Sequence, residues 1–281
     1  MLIVYTDYIK ESRNGLVGFP KLFSHRCILL CRKTNQTKVI QFISLYLYNM
    51  LLFNSAEPII RRKQHALDFQ DRQGLLKLKL QIKNKTLFNN IYTRIDQVFV
   101  VWGLITAVIF FTAQFAPIDW ITQAAFWSVL TVAGTLSMTV LTHFWVRVER
   151  LSWVLYAWIV LMLGGVALTD FGIFYGSAII LMYLCHIWLG LSAIGYFCTG
   201  IGLRSRAFIM AGLFHLAGIV ILPFCIGWQF LATGLVMTAN LLIFAETQWD
   251  MRPPIDNYSV LTEEQKEFNR EQFLIRQTKS V

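Results

Sequence analysis

Between residues 98 and 246 the chain alternates long apolar runs with short polar breaks. Six runs (98–116, 121–145, 151–168, 173–199, 207–223 and 226–246) approach the roughly 20 apolar residues that cross a hydrocarbon core of about 30 Å. A segment surrounded by lipid must satisfy its backbone internally, so each run predicts a helix. The fifth is short and closes at Pro223, which stops or kinks a helix. The predicted fold is an all-α membrane protein, a bundle of six transmembrane helices.

The flanks are patterned differently. A 15-residue apolar tract at 39–53 extends about 22 Å as a helix, short of a full crossing. Elsewhere residues 1–94 offer no sustained helical or strand period. This basic N-terminal segment is expected either to lie in the membrane interface or to extend upstream of a natural start near Met50 or the basic run 77–85. Beyond the bundle, Thr262 and Gln265 have capping-box spacing and predict a polar helix to about Gln277. Leu261, Phe268 and Ile275 recur every seven residues along it, a thin stripe expected of a solvated tail lying on the membrane or on the helix bundle, or of a helix that docks a partner. Three regions follow: 1–94, 95–246 and 247–281.

Composition agrees. The 281 residues are 56% hydrophobic and 15% charged, against about 25% charged in soluble domains. A soluble single-domain enzyme, a disordered chain and a disulfide-stapled module are excluded.

Charge then sets orientation. Residues 1–94 carry a net charge of +11, and the rest of the chain is nearly balanced. Basic residues flanking membrane spans account for this excess better than nucleic-acid binding does. Arg147 and Arg150 lie between runs two and three, and Arg204 and Arg206 between runs four and five. The other three connections have no basic residue, so the positive-inside rule predicts both termini on the cytoplasmic side. A bacterial inner membrane and a thylakoid both fit, with the bilayer and other membrane proteins as partners.

Trp102, Trp120, Trp145, Trp153, Trp228 and Trp249 fall near run ends and read as interfacial anchors. Trp127, Trp158 and Trp188 fall deeper and are expected to pack between helices or against lipid. Cys185, Cys198 and Cys225 read as small packing residues. The Cys27/Cys31 pair lacks the further ligands of a zinc site. Asp119 and Asp170 are expected in loops on the far side, and no carboxylate is expected at mid-membrane.

Three histidines, His143, His186 and His215, fall inside the runs. Small residues flank two of them: Gly190 and Ala193 beside His186, and Ala211, Gly212 and Gly218 beside His215. That pattern lets a flat tetrapyrrole approach a helix, and it equally suits close helix packing. The predicted depths of His186 and His215 differ by about 6 Å, which permits a shared haem or chlorophyll, whereas His143 lies too far from His186. Ser128, Thr131, Thr135 and Thr142 share roughly one face of run two. Their hydroxyls are expected to bond their own helix or to line a solute path. Thr238 and Asn240 read as interhelical glue. Nothing resembles a catalytic motif. The functional expectation is a non-enzymatic assembly partner or tetrapyrrole-binding subunit, with a small-solute permease or channel as the alternative.

Overall fold

Thr93 starts the first long helix with a reciprocal cap. Its hydroxyl accepts from the Asp96 N–H (3.2 Å), while the Asp96 carboxylate accepts from the Thr93 N–H (2.8 Å). In this computed structural model, which describes residues 58–82, 85–252 and 259–279, six helices are long and apolar enough to cross a membrane. Short elements precede them: β1 (Ile60–Arg61), α1 (Phe69–Arg72), β2 (Leu76–Ile82) and β3 (Lys85–Tyr92). The spanning helices are α2 (Arg94–Phe115), α3 (Trp120–Val148), α4 (Ser152–Phe174), α6 (Leu184–Leu203), α7 (Arg206–Ile221) and α8 (Gln229–Glu246). One short helix, α5 (Ala178–Met182), joins α4 to α6, and a 3₁₀ turn holding Pro223 extends α7. After α8 come β4 (Gln248–Trp249) and α9 (Glu263–Lys279). The tract 39–53, Cys27 and Cys31 lie outside the described residues.

The helices form a ring. Chain neighbours α2/α3, α3/α4 and α6/α7 pack together, α4 packs on α6, and α8 returns to α2. A lighter seam between α7 and α8 completes the circle. Buried side chains from all six helices form the core inside it, including Trp102, Met138, Leu155, Tyr196, Phe208 and Phe244.

Three expectations need correction. The first is the boundary between runs three and four: α4 continues to Phe174, so Asp170 lies in a helix and not in a loop. Its carboxylate accepts the Ser128 hydroxyl (2.9 and 3.0 Å), and the Thr169 hydroxyl bonds the Gly165 carbonyl, so neither polar residue has to end the helix. Second, β2 and β3 form an antiparallel hairpin, pairing Leu76 with Tyr92 and bulged at Leu80/Gln81. The Leu/Lys alternation from Leu76 to Lys79 is a period-two strand signal that the basic charge obscured. Third, Trp102 and Trp145 are buried and are not interfacial anchors, whereas Trp120, Trp153 and Trp228 are exposed as anchors should be. Trp249 is half-buried in a strand.

The C-terminal helix α9 lies on the helix bundle, one of the placements expected for a solvated tail. Its predicted capping box is present, with Thr262 and Gln265 exchanging hydrogen bonds of 3.1 and 3.4 Å. Leu261 packs against Val148, Asn269 bonds both the Phe69 N–H and Gln70, and Arg276 pairs with Asp68 at 2.9 Å. The helix thereby holds α1 against the end of α3, where Gln70 donates to the buried Glu149 (2.9 Å). On the other side of this base, β1 pairs with β4, and Lys63 forms an ion pair with Asp96 (2.9 Å).

Candidate functional site: a tryptophan-lined cavity on the bundle axis

Side chains from α2, α3, α4, α6, α7 and α8 enclose a central cavity of about 150 Å³. Its length follows the bundle, from Ile95, Leu203 and Trp249 at one end to Phe110, Thr169 and Trp188 at the other. Six of the nine tryptophans line it: Trp102, Trp127, Trp145, Trp158, Trp188 and Trp249. Four of their indole N–H groups are bonded: Trp127 to Thr112 (3.0 Å), Trp145 to Asp71 (2.8 Å), Trp158 to Thr199 (2.9 Å) and Trp188 to Thr169 (3.1 Å). With those groups occupied, the rings present carbon to the cavity, and its wall is almost wholly apolar.

The hydroxyls are committed in the same way. Thr131, Thr135 and Thr142 each donate to the carbonyl four residues back at 2.8 Å, and Ser128 donates to Asp170. Ser128, Thr131 and Thr142 reach the cavity wall, while Thr135 is buried beside it. Thr238 meets the Thr106 hydroxyl (3.1 Å) across α8 and α2, an interhelical bond of the expected kind.

His215 differs from these groups. It is fully buried on the cavity wall, with its ring 4.8 Å from that of Tyr196. Nδ1 lies 2.8 Å from the Ala211 carbonyl, which makes Nδ1 the protonated nitrogen and a donor. The Asn240 amide nitrogen approaches the same Nδ1 from α8 at 3.4 Å; as a second donor it forms no bond with that N–H, and the closer carbonyl fixes the tautomer. Nε2 is then a lone-pair acceptor, and it has no partner. Among the described residues, it is the one buried unpartnered side-chain atom on this wall. A buried polar atom without a bond costs about 1–3 kcal/mol, a cost that a bound donor removes.

His186 is placed elsewhere: its ring meets Tyr183 edge-on at 5.3 Å, its Nδ1 is also unpartnered, and it is not on the cavity wall. The structure thus brings His215 together with Ser128, Thr131 and Thr142, but does not place His186 on the wall they share. The sequence reading missed the indole cage. A usable signal was the spacing W-x₃-T, which occurs at Trp102/Thr106 and Trp127/Thr131. In both, the threonine bonds the tryptophan carbonyl, and the tryptophan is buried.

A smaller, more polar cavity of about 80 Å³ adjoins the Leu203 end, lined by Lys63, Gln64, Asp71 and Asp96 among others. Ile95, Trp145 and Trp249 line both cavities and separate them. Asp71 is pushed up to about 7 by burial and then by the negative charges of Asp68 and Glu149, against the Trp145 hydrogen bond and Arg276. Burial also raises Asp68, with Arg276 opposing it. No group of three or more His, Cys, Asp or Glu side chains that could hold a metal ion occurs among the described residues. Compared with family models, curated proteins and solved structures, the chain matches none.

Proposed function

We propose that this multi-pass membrane protein is non-enzymatic and binds one small hydroxylated aromatic molecule in the central cavity. The unpartnered Nε2 of His215, an acceptor on a residue that borders an indole-lined space, carries the reading. An apolar cavity of about 150 Å³ holds a benzene-sized ring. The ring stacks on indole faces, and its hydroxyl donates to Nε2. A tetrapyrrole is several times larger than this volume, so the smaller ligand fits better. Both termini face the cytoplasm, with Arg147, Arg150, Arg204 and Arg206 at the inner end of the bundle. A C-terminal fluorescent-protein fusion is therefore expected to glow and an alkaline phosphatase fusion to be inactive; the opposite pair of results reverses the orientation.

Binding is tested by ¹⁹F NMR on the protein in nanodiscs, with empty nanodiscs correcting for partition into lipid. The protein is expected to prefer 4-fluorophenol to fluorobenzene by about 10–100-fold, the range set by one buried acceptor left unpaired. His215→Leu is expected to abolish the preference while fluorobenzene still binds, which also shows that the variant is folded. Equal affinity for both probes in the wild type overturns the proposal. Passage of small solutes is the second reading, supported by the polar cavity that continues the axis past Trp145. Solute flux into proteoliposomes without saturable 4-fluorophenol binding selects it.

A further inference from the structure

The two cavities share a wall of three side chains, and those side chains are held differently. Trp249 is fixed by the pairing of β4 with β1, in register with Ile60. Ile95 sits in the first turn of α2, beside the Thr93–Asp96 cap. Trp145 alone of the three has its ring tethered by a polar contact to another segment: its indole N–H donates to the Asp71 carboxylate at 2.8 Å. Asp71 belongs to a four-residue helix held from outside the bundle by Gln70–Glu149, Asn269–Gln70 and Arg276–Asp68. The carboxylate's position is set by this clamp, and it holds the indole across the boundary between the cavities.

We propose that Trp145 is a gate between the central cavity and the inner polar cavity, and that the Asp71 carboxylate is its latch. The idea rests on the central cavity being the binding site proposed above, and gives its ligand a route from the inner aqueous face. A hydrogen bond to a carboxylate is roughly twice as strong as one to a neutral acceptor, so neutralising Asp71 loosens the ring without removing its partner. Burial first, and then the negative charges of Asp68 on the same segment and Glu149 at the end of α3, favour neutralisation of Asp71 near physiological pH, against the Trp145 hydrogen bond and Arg276 from α9. Lys63 and Asp96, the other charged groups lining the inner cavity, are paired with each other. The gate is therefore held shut at alkaline pH and loosened at acidic pH.

The first measurement needs no ligand. In protein labelled with ¹⁵N-tryptophan, the Trp145 indole N–H signal, assigned by its loss in Trp145→Phe, is followed from pH 5.5 to 8.5. It is expected to move with a midpoint near 7 and to stay still in Asp71→Asn. The second is exchange of 4-fluorophenol, read from ¹⁹F line shapes. Asp71→Asn is expected to speed exchange at pH 8 about tenfold, with affinity changed less than twofold. Trp145→Phe, which lacks the N–H, is expected to exchange fast at every pH. A Trp145 signal constant across the range, or exchange rates equal in wild type and both variants, overturns the latch. In the second case the ligand crosses another wall, such as the α7–α8 seam. Should 4-fluorophenol not bind at all, the site proposal fails and the indole titration still decides the latch.

Discussion

Replacing Asp250 by alanine is expected to cost about 3–5 kcal/mol of stability, the range for removing one partner of a buried ion pair. Asp250 is almost fully buried, and its two oxygens accept four hydrogen bonds: from the Ser205 hydroxyl (2.9 Å), the Arg206 N–H (3.0 Å), the Arg206 Nε–H (2.8 Å) and the Ala207 N–H (3.0 Å). Two of these donors are backbone groups at the start of α7, which have no partner inside the helix. The carboxylate therefore caps α7 from 44 residues away in sequence. Its own N–H donates to the Ile59 carbonyl (3.1 Å), and two residues later the Arg252 N–H bonds the Leu203 carbonyl (2.9 Å). Removing the side chain leaves α7 uncapped and loosens the strand pair beneath the central cavity. Denaturant titration in detergent micelles reads the effect. Asp250→Asn keeps the shape but turns an amide N–H₂ toward donors, so it is expected to recover only part of the loss. Wild-type stability in both variants would show that this cap contributes nothing.

The second large effect is expected from a single methyl group on α6. A Cβ at Gly195 meets Trp158 at 2.5 Å from Cη2 and 2.6 Å from Cζ2, closer than real side chains come. The indole can yield only into the cavity it lines: its N–H is bonded to Thr199 and its edge is set against Tyr196 at 5.4 Å. Gly195→Ala is expected to destabilise the bundle by about 1–3 kcal/mol, as overpacking does. It also drives Trp158 toward the cavity, so binding of 4-fluorophenol is expected to weaken at least tenfold. Gly190→Ala on the same helix is the control. The nearest atom to its Cβ is 4.0 Å away, so replacing a mid-helix glycine there is expected to be neutral or to stabilise by up to about 1 kcal/mol. Equal effects at the two positions would mean that Trp158 moves freely, and the cavity wall with it.

Much of the bundle was legible before any coordinates. A segment in hydrocarbon must satisfy its own backbone, so length and apolar composition alone locate a spanning helix. Six such runs were read and six such helices are present among the described residues. The Thr262–Gln265 cap was equally legible, because both partners lie within one turn. The threonines of α3 belong to the same class, since each bonds a carbonyl four residues back in its own helix.

The site was not legible, because its parts are joined by contacts remote in sequence. Trp145 looks like an interfacial anchor until Asp71, 74 residues earlier, takes its N–H. Asp170 reads as a loop residue until Ser128, 42 residues away, donates to it. The clamp on α1 joins Gln70 to Asn269 across 199 residues. Local pattern states which residues tolerate lipid and which form helix, because both depend on the segment alone. Which indoles turn inward, and that His215 keeps a free lone pair among them, depends on the order in which six helices close their ring. Helices of nearly uniform apolar surface carry little sequence record of that order.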